Sequence, residues 1–558
     1  MPANRLVKHM KWWGWGEEGI SFRHDDKPAF GSFVKSVIDI DVTKAPAAVA
    51  DLGCLPIPPS SAPPELRASL QAAVGLDNVK DEALDRVVHG YGKGLRDLVR
   101  IRRGDVGRLP DLVVYPGSED DVVQIVCIAL ALNAVLIPFG GGTNISGSLE
   151  APRTERRTVI SVDMGRMSSV LDIDEVARLA RVQAGALGPD IERHLNARGY
   201  TLGHFPDSFN HSTIGGWIAT RSSGMQSDKY GDIADLTRAV RVVTPTGVLA
   251  MRPVPSSSTG PSVREMILGS EGRLGIITEA TVHVHRIPQK RQIYGYLFPD
   301  WSRGLKAMTA IAASDAAPSV TRVSDANETR FYFATKKHEA LVARAKSAIS
   351  KFYLQRIKRF DLDQICLSFI GYEGSSEHVD IQKRLVDEIV SRHEGICVGA
   401  GPGELYDQKK FDTPYLRDFL LDRGALADVS ETSAPWSRLE NLYGGVVKRA
   451  RKAFQEIGVR GYVMCHLAHS YHSGACLYFT FAFRPSDENR ALEQYDVVKS
   501  AIQQGFIDLG GTLSHHHAVG VEHAAWLTED ISPAGVTMIR SLLDGVDPGH
   551  NFNPGKII

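Results

Sequence analysis

Three consecutive glycines, Gly140, Gly141 and Gly142, follow directly on the apolar run "AVLIPF". Without side chains, a row of backbone N–H groups can approach a bound group closely, the geometry that cradles phosphate oxygens. The stretch is not a G-x-G-x-x-G fingerprint, and a lone glycine triplet reads equally well as a flexible turn. Its surroundings narrow the choice. Upstream, the spacing predicts a strand over 112–115, a turn at Pro116-Gly117, a helix start at Ser118 with Asp121, apolar helix positions at Val122, Ile125, Val126 and Ala129, an end at Asn133, and a second strand over 134–138. Downstream, "FPDSFNHSTIGG", the small-residue run over 220–224 and "GSEGRLGIITEATVHV" add polar, glycine-bearing segments, the last with Gly269, Gly272 and Gly275 ahead of an alternating strand. Such segments within one region fit a cofactor threaded across a sheet.

At 558 residues the chain exceeds what one hydrophobic core usually serves. The expected organisation is an arm with a helical segment over 1–100, a cofactor domain over 101–290, a substrate or cap domain over 291–525 and a helical tail over 526–558 that returns to the cofactor. The arm holds Trp12, Trp13 and Trp15, then "PIPPSSAPPELRASL", whose prolines exclude regular structure until a helix begins near Pro64. From Gln292 the glycine fingers stop. "RQIYGYLFP", "LDQICLSFIGYEG" and "ACLYFTFAF" read as strands, and "SSEHVDIQKRLVDEIVSRHEG" as an amphipathic helix closed by a glycine, so an α+β cap is expected.

Lys+Arg 64 against Asp+Glu 65 leave a net charge of -1, which gives no field to hold nucleic acid by counterion release. Cys54, Cys127, Cys366, Cys397, Cys465 and Cys476 are scattered, without a C-x-x-C pair, which suits buried thiols in a reducing compartment. The N-terminus has no apolar h-region, "IVCIALALNAVLIPFGGG" is too short and broken to span a bilayer, and the last three residues are not S-K-L. A cytoplasmic protein is expected.

"LSHHHAVG" sets three histidines in a row. If the run is extended, His515 and His517 share one face and His516 takes the other. The stretch then reads as a polar edge strand, as part of a metal site with His466, His469 and His472, or as a proton-handling site.

"PFGGGTN", "HSTIGGWIATRSSG" and "GSEGRLGIITEA" resemble the FAD-binding segments of the vanillyl-alcohol oxidase flavoprotein family. "MKWWGWG", "SETSAPWSRL", "SYHSGACLYFTFAF" and "LSHHHAVG" narrow the resemblance to the alkyldihydroxyacetonephosphate synthase family, and it covers nearly the whole chain. The resemblance implies a two-subdomain FAD-binding domain, an α+β cap with an antiparallel sheet, and non-covalent FAD. It implies cofactor contacts from Pro138, Phe139, Gly140, Gly141, Gly142, Thr143 and Asn144. From the second segment it implies Asp207, Ser208, Phe209, Asn210, His211, Ser212 and Thr213, with Thr220, Arg221, Ser222 and Ser223. From the third it implies Glu271, Gly272, Arg273, Leu274, Gly275, Ile276 and Ile277.

The implied reaction exchanges the acyl group of acyl-dihydroxyacetone phosphate for a long-chain fatty alcohol. It is redox-neutral and runs through a flavin N5 adduct, with Tyr471 as acid/base, His515, His516, His517 and Arg322 required for activity, and Arg417 holding the substrate phosphate. No metal is implied: metal-dependent 2-hydroxyacid dehydrogenases of the wider family carry a G-D-G-N segment that is missing here. A tyrosine, with an ordinary pKa near ~10, needs nearby positive charge or strong hydrogen bonds to act as a base. The chain departs from the family pattern at His472, His466 and His469, at Phe205 in place of an acidic residue, and in "NFNPGKII". The peroxisomal element after Arg5-Leu6 is missing as well, which favours a bacterial-type cytosolic enzyme, a homodimer by default, with peripheral membrane contact through its lipid substrates. An FAD-dependent 2-hydroxyacid or alcohol oxidoreductase is the alternative, and a non-catalytic flavin scaffold the third reading.

Overall fold

The computed structural model describes residues 7, 11–47, 49, 51–337, 355, 358–409 and 411–558. Met10, Arg5 and Leu6 lie outside them. The first sheet forms where the sequence period places it, from strands Leu112–Val114 and Val135–Phe139 around helix Glu119–Ala131. Ser118 accepts the Asp121 N–H at 3.1 Å, and Asn133 leaves the helix at φ 50°. Both strands pair in parallel with Val159–Asp163, and Val79–Lys80 closes one edge antiparallel. Side chains alternate across the sheet. Leu112, Val114 and Leu136 face helices Pro64–Val74 and Glu119–Ala131, whereas Val135, Ile137 and Phe139 face Trp12, Leu55, Val87 and Tyr91 of the arm. The arm is thus the second cover of this sheet.

A five-stranded antiparallel sheet follows, ordered Val170–Asp174, Leu179–Gln183, Ile276–His283, Thr237–Thr244, Gly247–Ala250. The third sheet has seven antiparallel strands, ordered Ile396–Gly399, Lys290–Phe298, Cys366–Gly374, Val320–Ser324, Gly461–Ser470, Gly474–Phe483, Leu426–Pro435. Helices including Ser376–Arg392, Trp436–Glu456 and Ala491–Asp508 cover one face over a core of Val463, Cys465, Leu467, Leu477 and Phe479. The alternate residues Met464, His466, Ala468, Tyr478 and Thr480 face a cavity. After helix Leu527–Val546 the chain end adds to the glycine strand: the Leu136 N–H donates to Asn551 O at 2.7 Å, and the Asn553 N–H to Leu136 O at 2.9 Å.

Two expectations are corrected. Helix Ser376–Arg392 is closed by Glu394 at φ 61° rather than by Gly395, which is glycine because a Cβ there would lie 2.6 Å from Phe298 and Val390. Only Cys366, Cys465 and Cys476 are buried thiols, and Cys54, Cys127 and Cys397 are exposed. No helix among the described residues is long and apolar enough to cross a membrane.

Phe479 is fully buried between Tyr443 and Phe506 beneath the cap helices. Phe479→Ala is expected to lower stability by about 3–5 kcal/mol through the cavity it leaves, read as a lower denaturation midpoint by tryptophan fluorescence.

Candidate active site

A cavity of about 970 Å³ lies between the two smaller sheets and the open face of the third. Its walls change character along its length. One end is mostly backbone and small side chains from 138–144, Ser212, Thr213, Gly215, Gly216, Ala219, Thr220, 222–225, Glu271, Gly272 and 275–277. The other is apolar, with Phe30, Phe33 and Val37 of helix Phe30–Ile38 facing Phe331, Leu420 and Tyr462. Between them stand Arg322, Arg417, Asp207, His466, His469, His516 and His517.

The histidine run is a loop and not an edge strand. Glu431, in strand Leu426–Pro435 and 2% exposed, points its carboxylate into the loop and accepts the N–H groups of His515 (2.7 Å), His516 (3.1 Å) and His517 (3.1 Å) and the Ser514 hydroxyl (2.7 Å). Successive N–H groups converging on one anion form a nest, which strand alternation cannot produce. The expectation that His515 and His517 share a face fails for that reason. Burial raises the Glu431 carboxyl, but the imidazoles beside it and the Ser514 hydroxyl reverse this and hold it well below its ordinary value. Burial lowers His516 to about 3 and His517 to about 4, so both rings are neutral near pH 7. Glu431, Cys476, His515 and His516 bring potential ligand atoms within 4.8 Å of one another, but the Glu431 oxygens already accept this ring of donors.

Glu271 does the same for the next residues. Its carboxylate accepts the Val519 N–H at 2.9 Å, the Gly520 N–H at 3.0 Å and the Ser148 hydroxyl. The side chain expected to bind cofactor therefore bolts the histidine loop to the flavin half.

Tyr471 follows strand Gly461–Ser470 in a turn closed by its N–H to Gly474 O at 2.8 Å. Its hydroxyl donates to Asp232 Oδ2 at 2.8 Å and lies 2.5 Å from His515 Nε2, while His515 Nδ1 lies 2.9 Å from His516 Nδ1. Burial and the adjacent Asp232 charge push the Tyr471 hydroxyl far above its ordinary value. Burial opposes ionisation of Asp232, but His469, His515 and the Tyr471 hydrogen bond bring it down to about 2. His469 stacks on His515 with centroids 5.4 Å apart.

Arg322 donates to Glu328 at 2.8 Å, with His466 Nδ1 2.9 Å from the same carboxylate oxygen. Asp207 is open to the cavity but enclosed by protein, and burial pushes its carboxyl up to about 6, with Arg322 pulling the other way. Arg417 gives Nη1 to Lys93 O at 2.7 Å, while its Nε and Nη2 are buried without a hydrogen-bond partner.

Of the residues singled out from sequence, Arg322, Arg417, His516 and His517 line the cavity, as do Pro138, Phe139, Gly140, Gly141, Gly142, Thr143, Asn144, Asp207, Ser208, Ser212, Thr213, Thr220, Ser222, Ser223, Glu271, Gly272, Gly275, Ile276 and Ile277. Tyr471 and His515 stand one layer behind, through His516. Six others point elsewhere. Phe209 stacks on Trp217 and Phe411, Asn210 is exposed, and His211 packs on Trp15. Arg221 pairs with Glu265, Arg273 donates to Lys556 O, and Leu274 is core. Glu431, Asp232 and Glu328 were missed. A glutamate inside the small-residue strand "LADVSETSAP" was the one available signal for Glu431.

Residues 110–250 match the family described as "FAD binding domain", and 287–557 match "FAD linked oxidases, C-terminal domain". The alkyldihydroxyacetonephosphate synthase of Dictyostelium discoideum is 39% identical over 99% of this chain and 94% of its own length. The chain belongs to the alkyldihydroxyacetonephosphate synthase family. A solved structure of an alkyldihydroxyacetonephosphate synthase superposes with a TM-score of 0.85 at 36% identity, covering 99% of both chains. p-Cresol methylhydroxylase, at 15% identity and a TM-score of 0.65, shares the fold.

The cofactor of this family is FAD, and the residues present fit it. The N–H groups of Gly141, Gly142 and Thr143 have no protein acceptor among the described residues, and the buried Asn553 Oδ1, on the same wall, has no partner. A Cβ on Gly141 would lie 1.7 Å from His211 O, so the loop closes only with glycine. Gly141→Ala is expected to yield protein largely devoid of flavin, read as the ratio of flavin to protein absorbance. Glu431→Gln is expected to cost about 3–5 kcal/mol by facing an amide NH2 against N–H donors, read as a lower denaturation midpoint.

Proposed function

We propose that the chain replaces the acyl group of acyl-dihydroxyacetone phosphate by a long-chain fatty alcohol, forming an ether bond without net redox change. One observation carries this reading: Arg417, whose Nε and Nη2 make no hydrogen bond and whose nearest anion is Asp418 at 4.0 Å, lines the same cavity as the glycine loops and the apolar side chains of helix Phe30–Ile38. A planar guanidinium fork suits a phosphate. The tunnel of Phe30, Phe33, Val37, Phe331 and Tyr462 suits an alkyl chain, and a 2-hydroxyacid would leave it empty. Family membership agrees.

When bound, FAD would supply a covalent acceptor for the substrate's C1, which activates that carbon for exchange of the acid for the alcohol. Gly141, Gly142 and Thr143 would hold it by their N–H groups. Arg417 fixes the phosphate, and with the chain in the tunnel this orients C1 toward the histidine wall. Arg322, charge-balanced by Glu328, offers a second cation to the departing carboxylate. The Tyr471 hydroxyl, between Asp232 and His515, takes up and returns the C1 proton. Neutral His516 and His517 accept hydrogen bonds from the substrate side. The reading extends to a cytoplasmic homodimer that meets its lipid substrates at a membrane surface, with cofactor work in 101–290 and substrate work in 291–525.

Anaerobic addition of palmitoyl-dihydroxyacetone phosphate is expected to bleach the oxidised flavin band, and hexadecanol to restore it with ether product. Bleaching by 2-hydroxyacids alone would establish an oxidoreductase instead. Arg417→Met is expected to raise KM for the acyl phosphate by about tenfold to a hundredfold with FAD content unchanged, the loss of one or two charge-assisted hydrogen bonds.

A further inference from the structure

Replacing an ester by an ether at C1 moves two protons. The first leaves C1 and returns to it, which is the task of Tyr471. The second belongs to the alcohol: its hydroxyl hydrogen leaves for good as its oxygen bonds C1, and that hydrogen needs an acceptor beside C1. His516 and His517 are weak candidates, because burial lowers them to about 3 and 4. Of the carboxylates on the cavity wall, Glu271 accepts the N–H groups of Val519 and Gly520, Glu328 accepts from Arg322, Asp428 from Tyr495 and Asp26 from Lys27. Asp412 is engaged as well. Asp207 differs, for its carboxylate makes no hydrogen bond or ion pair among the described residues.

Asp207 belongs to the flavin half, in the loop ahead of helix Ile214–Thr220, but the charged and titratable groups around it belong to the cap. Its neighbours in charge are Arg322 of strand Val320–Ser324, Tyr406 of helix Gly401–Lys409 and Tyr478 of strand Gly474–Phe483. Glu328 and His466 stand next, on Arg322. Tyr478 stacks on His516 with centroids 6.0 Å apart, while one turn beyond Glu328 in helix Ala326–Ala334, Phe331 and Tyr332 line the apolar end of the cavity. Asp207 thus faces the place where the histidine wall gives way to the tunnel. A hydroxyl that arrives through the tunnel takes the position the carboxylate has left, beside Arg322, and so comes to Asp207.

We propose that Asp207 is the general base for the alcohol, a catalytic residue that takes the hydroxyl proton as the ether bond forms. The proposal rests on the ether-forming reading and deepens it, and it leaves the C1 proton to Tyr471. The ester C1–O bond breaks with its electron pair leaving on the carboxylate. The alcohol O–H bond breaks with its pair kept on oxygen, a lone pair of that oxygen makes the new C1–O bond, and the proton binds an Asp207 carboxylate oxygen. Nothing is oxidised or reduced, and Asp207 returns the proton to water once the product has left. Burial pushes the Asp207 carboxyl up to about 6 against the pull of Arg322, so it is ionised at neutral pH and a stronger base than an ordinary carboxylate. It sheds no hydrogen-bond donor before it accepts.

The test compares an oxygen nucleophile that carries a hydrogen with one that does not. FAD-loaded enzyme is bleached anaerobically with palmitoyl-dihydroxyacetone phosphate, and the return of the flavin band is then timed with hexadecanol or, as the reverse of acid departure, with palmitate. Wild type must bleach and form ether; if it does neither, the ether-forming reading fails and the base with it. Asp207→Asn is expected to slow the hexadecanol-driven return about a hundredfold, with bleaching and the palmitate-driven return within about threefold of wild type. Asp207→Glu is expected to recover part of the loss. A hexadecanol-driven return at the wild-type rate in Asp207→Asn overturns the base and spares the ether-forming reading; equal loss of all three rates overturns it too, since that marks a structural role. Should Asp207→Asn lose flavin, the wild type decides. The hexadecanol-driven rate must fall relative to the palmitate-driven rate as the pH drops through about 6, and a ratio constant from about pH 8 to about pH 5 overturns the proposal.

Discussion

Two buried carboxylates, one from each half of the molecule, hold the seven residues 514–520 between them. Glu431 comes from the edge strand of the cap sheet, Glu271 from the turn before the strand Ile276–His283 of the flavin half. A buried carboxylate is expensive to desolvate, and its retention needs donors that match its lone pairs. Here each has them, mostly as backbone N–H groups. Because the donors are main chain, the clamp sets the path of the loop and leaves the three imidazoles free for other work. Gly520, at φ 55°, completes the arrangement: a Cβ there would lie 2.0 Å from Ser146 O, so the loop approaches the flavin half more closely than any side chain permits. Disturbing either anion would move the histidine loop, one of the places where the cap and the flavin half meet, beside the pairs Tyr230–Glu373 and Ser470–Asp228.

The wall that faces the loop depends on a change of phase. In strand Gly461–Ser470, Met464 and His466 face the cavity while Val463, Cys465 and Leu467 face the helices, as alternation requires. A bulge between Leu467 and His469 breaks the register against Cys476. Ala468 and His469 then both reach the cavity wall, and Tyr471 follows on the layer behind. Without that extra residue the tyrosine would be displaced relative to Asp232, and a strand of regular period would offer His469 to the core. Bulges beside functional sites re-aim side chains in this way.

The sequence made most of the framework readable and much of the site only through likeness. Period and caps placed strand, helix and strand around the glycine triplet, because Ser118 and Asp121 are local signals that the fold does not override. Alternation could not reveal that Val135, Ile137 and Phe139 are covered by the arm, since an apolar residue looks the same against a helix or a tryptophan. Gly141 was read as a phosphate cradle, and its N–H is free for that. Its missing Cβ answers equally to His211 O at 1.7 Å, a contact 70 residues away in sequence that no local pattern encodes. The histidine run was misread as extended because its conformation is imposed by Glu431, 84 residues before His515, and Asp232 escaped notice because its partner Tyr471 is 239 residues distant. Pairings of that range leave no periodic trace. Arg221, Arg273 and Leu274 fall within cofactor segments yet turn away, since a loop that crosses a cofactor presents only some of its side chains to it.

The charges of the site are layered. At the cavity stand cations, Arg417 and Arg322, together with rings that burial keeps neutral, His516 and His517. The fully ionised anions Asp232 and Glu431 stand behind those rings and reach the cavity only through them. An anionic substrate therefore meets donors at its phosphate and neutral acceptors at its carbon. Were either carboxylate in the front layer, it would repel the phosphate and compete for the arginines. Were the histidines charged, they could not accept a proton. Asp207, Glu271, Glu328 and Asp428 are carboxylates that also line the cavity. Glu328 is paired with Arg322, and burial moves Asp207 up to about 6, so its negative charge weakens as the pH falls toward 6. The order of the layers therefore matters more than the net charge of the chain.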